Sequence, residues 1–276
     1  DSISEGAFKQ GNSDSDPWWI SNEDEFTTSN TPGNGTDSGE EARLHYSALP
    51  YAVPTSYPKG YRSFYVMKYE ITQDHWRAFF NSLPPAARDV RDVTRSVNRG
   101  KGSDDLIFRN NLSWSGEGDA ALPDNGAGAT YAGVAMSYLS WGDLVAYLDW
   151  AGLRPMTELE YEKAARGLYQ AVPGEYAWGS TAITRSSGLL FAGTESEMPT
   201  LDGANAAFGN GISGAVRVGS FAHRNSSAPS REGAGAGAFG AQELSGNVYE
   251  QVVCIGNPAG RAYTGLHGDG VLDAIL

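Results

Sequence analysis

Only one of the 276 residues is cysteine, Cys254, so the sequence can close no disulfide within itself and offers no pair of thiols. Histidine is almost as scarce. His45, His75, His223 and His267 stand isolated, with no H-x-x-x-H or H-E-x-x-H pair among them, which removes support for zinc hydrolysis. There is no G-x-S-x-G elbow and no P-loop. No apolar run approaches the roughly 18 residues of a membrane span, so no transmembrane segment is expected. The opening "DSISEGAFKQ" has neither the basic nor the apolar region of a signal peptide, which leaves a cytoplasmic protein or a mature or trimmed form. Cations are in the minority, 20 Lys and Arg against 33 Asp and Glu, for a net charge of -13. That balance argues against nucleic acid or an anionic membrane as partner, because both demand clustered Lys and Arg, and it suits cation binding.

What the chain has in quantity is glycine and aromatic rings. It carries 35 Gly, well above an average share of about 7%, with 7 Trp and 14 Tyr. With 40% hydrophobic and 19% charged residues it is globular, and its length suits one large domain or two small ones with a proper core. The combination predicts a loop-rich fold in which rings pin irregular backbone. Three N-x-S/T sequons, at Asn34, Asn111 and Asn225, read as chance occurrences in a Ser- and Asn-rich chain.

Residues 1–50 are mostly polar around the island "DSDPWWI", where Trp18 and Trp19 are expected to cap a core. "YPKGYRSFYVMKYEIT" (57–72) alternates as a strand does, with Phe64, Val66 and Lys68 on one side and Tyr65, Met67 and Tyr69 on the other. It runs into a helix with Thr72 as N-cap and Trp76, Phe79, Phe80 and Leu83 on its apolar face, stopped by Pro84-Pro85. Residues 85–132 read as a long surface excursion. In "VAMSYLSWGDLVAYLDWAGLRPMTELEYEKAARG" (134–167), Ser140 and Asp143 form a capping box, with Trp141, Leu144, Val145 and Leu148 on one face and Gly152 as left-handed cap. Thr157 and Glu160 repeat the box for a helix ending at Gly167, and Glu158, Glu160 and Glu162 are expected to be solvated. Between 168 and 240 small residues dominate. Strand-like pieces occur at "EYAWG" and "AVRVGSFA", and Trp178, Phe191, Phe208 and Phe221 are expected to tie the loops down.

Two glycine-bearing turns are candidate cation sites. "GLHGDG" (265–270), with Asp273 beyond it, is the weaker, because it departs from the D-x-[DN]-x-[DN]-G order. Gly246-Asn247-Val248-Tyr249-Glu250 permits a tight turn with positive φ, and Asn247 and Glu250 set oxygen ligands three residues apart. The alternative is equally open: Asn247 hydrogen-bonds its own turn and Glu250 pairs with an arginine. Cys254, after an apolar pair, reads as a small buried hydrophobe.

Four stretches, "YEITQDHWRAFFNSLP", "MSYLSWGDLVAYLDWAGLRPMTELEYEKAARG", "EYAWGS" and "GAFGAQELSGNVYEQV", resemble in order the patterns of the formylglycine-generating enzyme (sulfatase-modifying factor) domain, over roughly residues 57–255. The resemblance implies an α+β fold of C-type lectin-like type, with small twisted sheets, few short helices and much irregular loop. It also implies calcium at Gly246, Asn247, Val248 and Glu250, with Asn205 in "LDGANAAFG" resembling the start of the family's other calcium loop. Catalytic members hold copper(I) between two closely spaced cysteines after this turn. Here "QVVCIGNPAGRAYTG" follows Glu250, and Cys254 has no partner, so the oxidase activity is not carried over and copper enters only if a cysteine pair lies outside this chain.

The ends read as one domain over 1–276 without the family's first and last strands, which would leave a sheet edge open. The "YPKGY" and "GLRPMTELE" variants resemble domains of large bacterial surface and secreted proteins, implying an extracellular or cell-surface location. The expected function is a non-catalytic module that binds a protein or glycan ligand, or self-associates as a filament or adhesin subunit. The competing expectation is an oxidase whose thiols lie elsewhere.

Overall fold

A computed structural model describes residues 2–10, 18–27, 52–168, 172–209, 211–224 and 230–268, with the backbone alone at Gln10, Trp18 and Trp19. The core-capping expectation for the Trp18 and Trp19 side chains, the sequons at Asn34 and Asn225, and the last two residues of the "GLHGDG" loop with Asp273 lie outside the described residues.

The β structure is short. β1 (Ser2–Ile3) pairs antiparallel with β6 (Phe64–Tyr65), β2 (Phe8–Gln10) with β3 (Trp18–Ile20), and β4 (Phe26–Thr27) with β5 (Ala52–Val53). A fourth pair joins β7 (Leu189–Leu190) to β8 (Met198–Pro199). The predicted strand over 57–72 is thus corrected to two residues: its alternation is present, but only Phe64 and Tyr65 join a strand, and Thr72 adds a single bridge to Ala135. "EYAWG" forms turns, and "AVRVG" makes a single bridge, Arg217 to Val134.

Local chemistry sets the helices. α1 (Gln73–Ser82) starts at Thr72, whose hydroxyl accepts from His75 N at 3.2 Å, while His75 Nδ1 accepts from Thr72 N. Leu83 ends it. Pro84 and Pro85 then both stop that helix and open α2 (Pro85–Arg91), with proline in the first turn where no N–H is needed. α3 (Trp141–Trp150) and α4 (Glu158–Arg166) carry the two expected capping boxes, Ser140 with Asp143 and Thr157 with Glu160. Gly152, at φ 68, and Gly167, at φ 82, follow their ends. α5 (Ser220–Arg224) and α6 (Pro258–Arg261) are short.

Aromatic packing joins α1 to α3. Trp76 lies 5.0 Å from Phe79, and Phe79 meets Tyr147 edge-on at 5.8 Å. Phe80 meets Trp114 edge-on at 5.1 Å. Two expectations are corrected here. α3 buries Ala146, Tyr147 and Leu148 while Trp141 is exposed, so its core face is rotated from the 141/144/145/148 stripe. The 85–132 segment is no mere surface excursion either, because it sends Leu112, Trp114 and Ala120 into this core. Asn111 is also buried, and its amide donates to Pro123 O and Thr130 O, which closes that sequon. Of the four rings expected to hold the later loops, Trp178 and Phe221 are buried, but Phe191 and Phe208 are exposed.

A second cluster gathers Phe8, Ile20, Val53, Tyr57, Leu159, Val253 and Ile255. A third gathers Ile3, Ala164, Ala177, Ala241 and Leu244. α4 lies between them, so the chain after Gly246 is pinned on one side of a broad cleft.

Candidate functional site

The turn at 246–250 is built by backbone constraint. Gly246 has φ 108, and a Cβ there would stand 2.9 Å from Ala207 O. Asn247 follows at φ 60, a left-handed conformation that asparagine tolerates, and its N–H donates to Ala207 O at 2.9 Å. Its side chain does not bond its own turn. Oδ1 accepts from Val216 N at 2.8 Å, and Nδ2 donates to Glu70. Val248 N donates to the other oxygen of Glu70 at 3.1 Å.

Among the described residues Glu250 has no arginine partner, and its Oε1 is buried without a hydrogen bond. Burial foremost pushes its carboxyl up to about 7, with the nearby Glu243 carboxylate adding. Burial likewise pushes Glu243 up to about 7, offset by a hydrogen bond from Gly219 N and by the charge of Arg217. One oxygen of Glu243 takes the Gly219 bond at 2.7 Å, and the other, Oε2, is buried and unpartnered. Glu70 is raised well above the carboxylate range, by burial and then by Glu243. The sequence pointed to Glu250 but not to Glu70 or Glu243. Glu243 carries one local signal, a positive φ of 62 just before the turn.

Asn205 lies apart from this group in function. It is buried, and its Oδ1 accepts from Thr184 N at 2.9 Å. Among the described residues no three His, Cys, Asp or Glu side chains form a group that could hold a metal ion. Glu160, expected in solvent, is instead buried against Arg154. Cys254 is half-buried rather than buried, and its Sγ accepts from Gly256 N at 3.2 Å.

The turn forms one edge of a cleft of about 1030 Å³. Leu139, Leu144, Leu148 and Met156 give it an apolar lining, with Glu70, Gln242 and Glu250 as polar points. Its mouth carries aromatic rings: Tyr249 is 98% exposed, Tyr65 85% and Phe208 52%. The Arg185 guanidinium sits over the Phe208 ring at 5.0 Å.

The model of the sulfatase-modifying factor enzyme 1-like domain matches residues 29–255. The chain belongs to that family. Over 49 residues, 17% of its length, this sulfatase-modifying factor chain is 51% identical to a formylglycine-generating enzyme of Thermomonospora curvata, 15% of which is covered. Over 137 residues, 49% of its length, it is 30% identical to an inactive C-alpha-formylglycine-generating enzyme 2 of Mus musculus, 37% of which is covered. The matches thus span well under half of either relative. No solved structure matches. The mixed α/β architecture, with few helices and two-stranded sheets, agrees with the sulfatase-modifying factor assignment. No helix among the described residues is long and apolar enough to cross a membrane.

Proposed function

We propose that this domain is a non-catalytic binding module of the sulfatase-modifying factor family, with a C-type lectin-like fold, that takes a ligand in its cleft. The cleft carries the reading. Its volume of about 1030 Å³ stands at the upper end of the roughly 300–1,000 Å³ of ligand sites, and its lining of apolar walls with a few polar points is the usual character of such sites. The same surface offers no thiol, since Cys254 does not line it. A copper(I) site needs two soft ligands, and a lone sulfur bonded by Gly256 N does not fit one. The mouse relative whose name declares it inactive accords with this reading.

Calcium fits better. Glu243 Oε2 and Glu250 Oε1 are buried hard oxygens without partners, the donors calcium takes. These two carboxylates would hold it, with Gly246, Asn247 and Val248 contributing through their main chain. Asn205 and the Asn247 side chain are already engaged in hydrogen bonds. Bound there, calcium supplies positive charge that lets the two carboxylates ionise together. An extracellular or cell-surface setting suits both the calcium and the likeness to bacterial surface proteins.

Two arms test the proposal. Nile red, a neutral dye, should brighten on binding the wild type and not the Leu139→Arg variant, whose melting should confirm that it is folded. Copper(I)-loaded protein should leave a cysteine-containing sulfatase-type peptide unconverted in oxygen. Conversion of the peptide would restore the oxidase reading, and dye binding unaffected by the substitution would remove the cleft.

A further inference from the structure

A strained turn in the wall of the cleft bears on what the cleft takes, granted the reading of the cleft as a ligand site. Ile107 and Asn110 exchange both main-chain hydrogen bonds, at 3.1 and 2.9 Å, and close a tight turn around Phe108 and Arg109. Both central residues are left-handed, at φ 44 and φ 67. Asparagine and glycine are the usual occupants of such a turn, and a bulky side chain there is held against its own preference.

The surroundings enforce that conformation. Arg109 Nε donates to Ala215 O at 2.6 Å, and its guanidinium pairs with the buried carboxylate of Glu197. Gln73 Nε2 donates to Arg109 O at 2.8 Å. Gly214 leaves room for the turn, since a Cβ there would stand 1.9 Å from Phe108 O. Backbone strain that the surroundings over-determine clusters at ligand clamps. Arg109 anchors the turn, but Phe108 has no comparable task. Its ring is 63% exposed, joins none of the buried clusters among the described residues, and lines the cleft. Tyr138, a second ring on the cleft wall, is also left-handed, at φ 65. Buried Asn110 ties the two segments together, donating from Nδ2 to Ser137 O at 3.3 Å.

The charged groups of the cleft are already engaged. Glu160 and Arg154 pair with each other, Glu70 accepts from Asn247 and Val248, and Glu250 is given to the calcium proposed above. An ionic ligand therefore gains little there. An aliphatic ligand needs no strained ring, because leucine and methionine already form the floor. A ring on the ligand does use one, since aromatic pairs gain from edge-on or offset contact beyond the area they bury.

We propose that Phe108 is the recognition ring of the cleft, and that the ligand is a small, uncharged molecule whose own aromatic ring packs against it.

Nile red, itself neutral and aromatic, serves as the probe on the intact chain. Phe108→Gly should weaken its binding by about tenfold or more. The variant should melt no lower than the wild type, because glycine accepts φ 44 without strain. Phe108→Leu keeps the apolar bulk and isolates the ring. 2-Naphthol should displace the dye from the wild type about threefold better than its saturated counterpart, decahydro-2-naphthol, and Phe108→Leu should erase that preference. Unchanged dye binding by Phe108→Gly, a lower melting temperature, or a preference that survives in Phe108→Leu would overturn the role of the ring and leave the ligand cleft standing. Equal displacement from the wild type by the two alcohols would overturn the aromatic ligand. Failure of the dye to bind the wild type would end both readings.

Discussion

The Glu70 carboxylate and the Asn247 amide, 177 residues apart in the chain, hydrogen-bond to each other, and the second oxygen of Glu70 accepts from Val248 N at 3.1 Å. Glu70 precedes Thr72, the cap of α1, so one side chain ties the first helix to the turn at the cleft. Replacing it by alanine removes two acceptors from partly buried donors. Glu70→Ala should lose about 1–3 kcal/mol for donors left unsatisfied, read as a lower urea midpoint with an unchanged slope. Glu70→Gln, which keeps one acceptor oxygen, should lose less. Equal losses from the two variants would argue that packing, not these hydrogen bonds, holds the turn.

The raised carboxyls of Glu243 and Glu250 fix a sign for pH dependence. Both move from 4.5 up to about 7 in the folded protein. Between those values the folded state holds protons that the unfolded state has released, so their contribution is fully present below about 4.5 and is lost as pH rises through 7. In chelator, the protein should therefore melt a few degrees lower at pH 8 than at pH 5.5, about 2–4 °C for each kcal/mol. The proposed calcium would bind the ionised pair, and adding it should raise the melting temperature at pH 8 but hardly at pH 5.5. The Glu243→Gln/Glu250→Gln double variant should flatten both responses. An identical melt with and without calcium at pH 8 would remove calcium from the account.

The N-cap at Thr72 and the two capping boxes at Ser140 and Thr157 were the most legible features of the sequence, and the boxes make the next prediction. Ser140→Ala should cost about 1 kcal/mol, the usual loss for an N-cap. Thr157→Ala should cost more, because Thr157 is buried and its hydroxyl also donates to Pro58 O at 2.9 Å. Thermal melts of the two variants give the comparison, and a smaller loss at Thr157 would contradict it.

Caps are legible because donor and acceptor lie three residues apart. So was the turn, since Gly246 and Asn247 take the positive φ their residue types suggest. What the sequence hid depends on partners far along the chain. The alternation of 57–72 cannot tell which residues will meet Ser2 and Ile3, and only Phe64 and Tyr65 do. The face of α3 is chosen by the rings of α1, which draw Tyr147 inward and leave Trp141 outside. Trp114, in a polar-looking stretch, is buried because Phe80 waits for it. Glu243 resembles any surface acid until Gly219, 24 residues earlier, donates to it.

Glu160 shows the same dependence and permits the sharpest stability test. Its two oxygens accept from Arg154 Nη1 at 2.8 Å and Nη2 at 2.6 Å, and Oε2 also takes Thr157 N at 3.0 Å. The Glu160 side chain is 2% exposed and that of Arg154 28%, so water reaches the pair from the arginine side. Removing the arginine strands a buried charge, for which about 3–5 kcal/mol is typical, and the partial exposure of the pair places Arg154→Ala toward the lower figure. Arg154→Lys should recover only part of it, since an ammonium cannot make two parallel bonds to one carboxylate. Arg154→Met/Glu160→Gln removes both charges and keeps an acceptor for Thr157 N, so it should be more stable than Arg154→Ala despite carrying one more substitution. Urea unfolding of the four proteins decides it. A double variant less stable than the single would mean that the ion pair itself, rather than the stranded carboxylate, accounts for the loss.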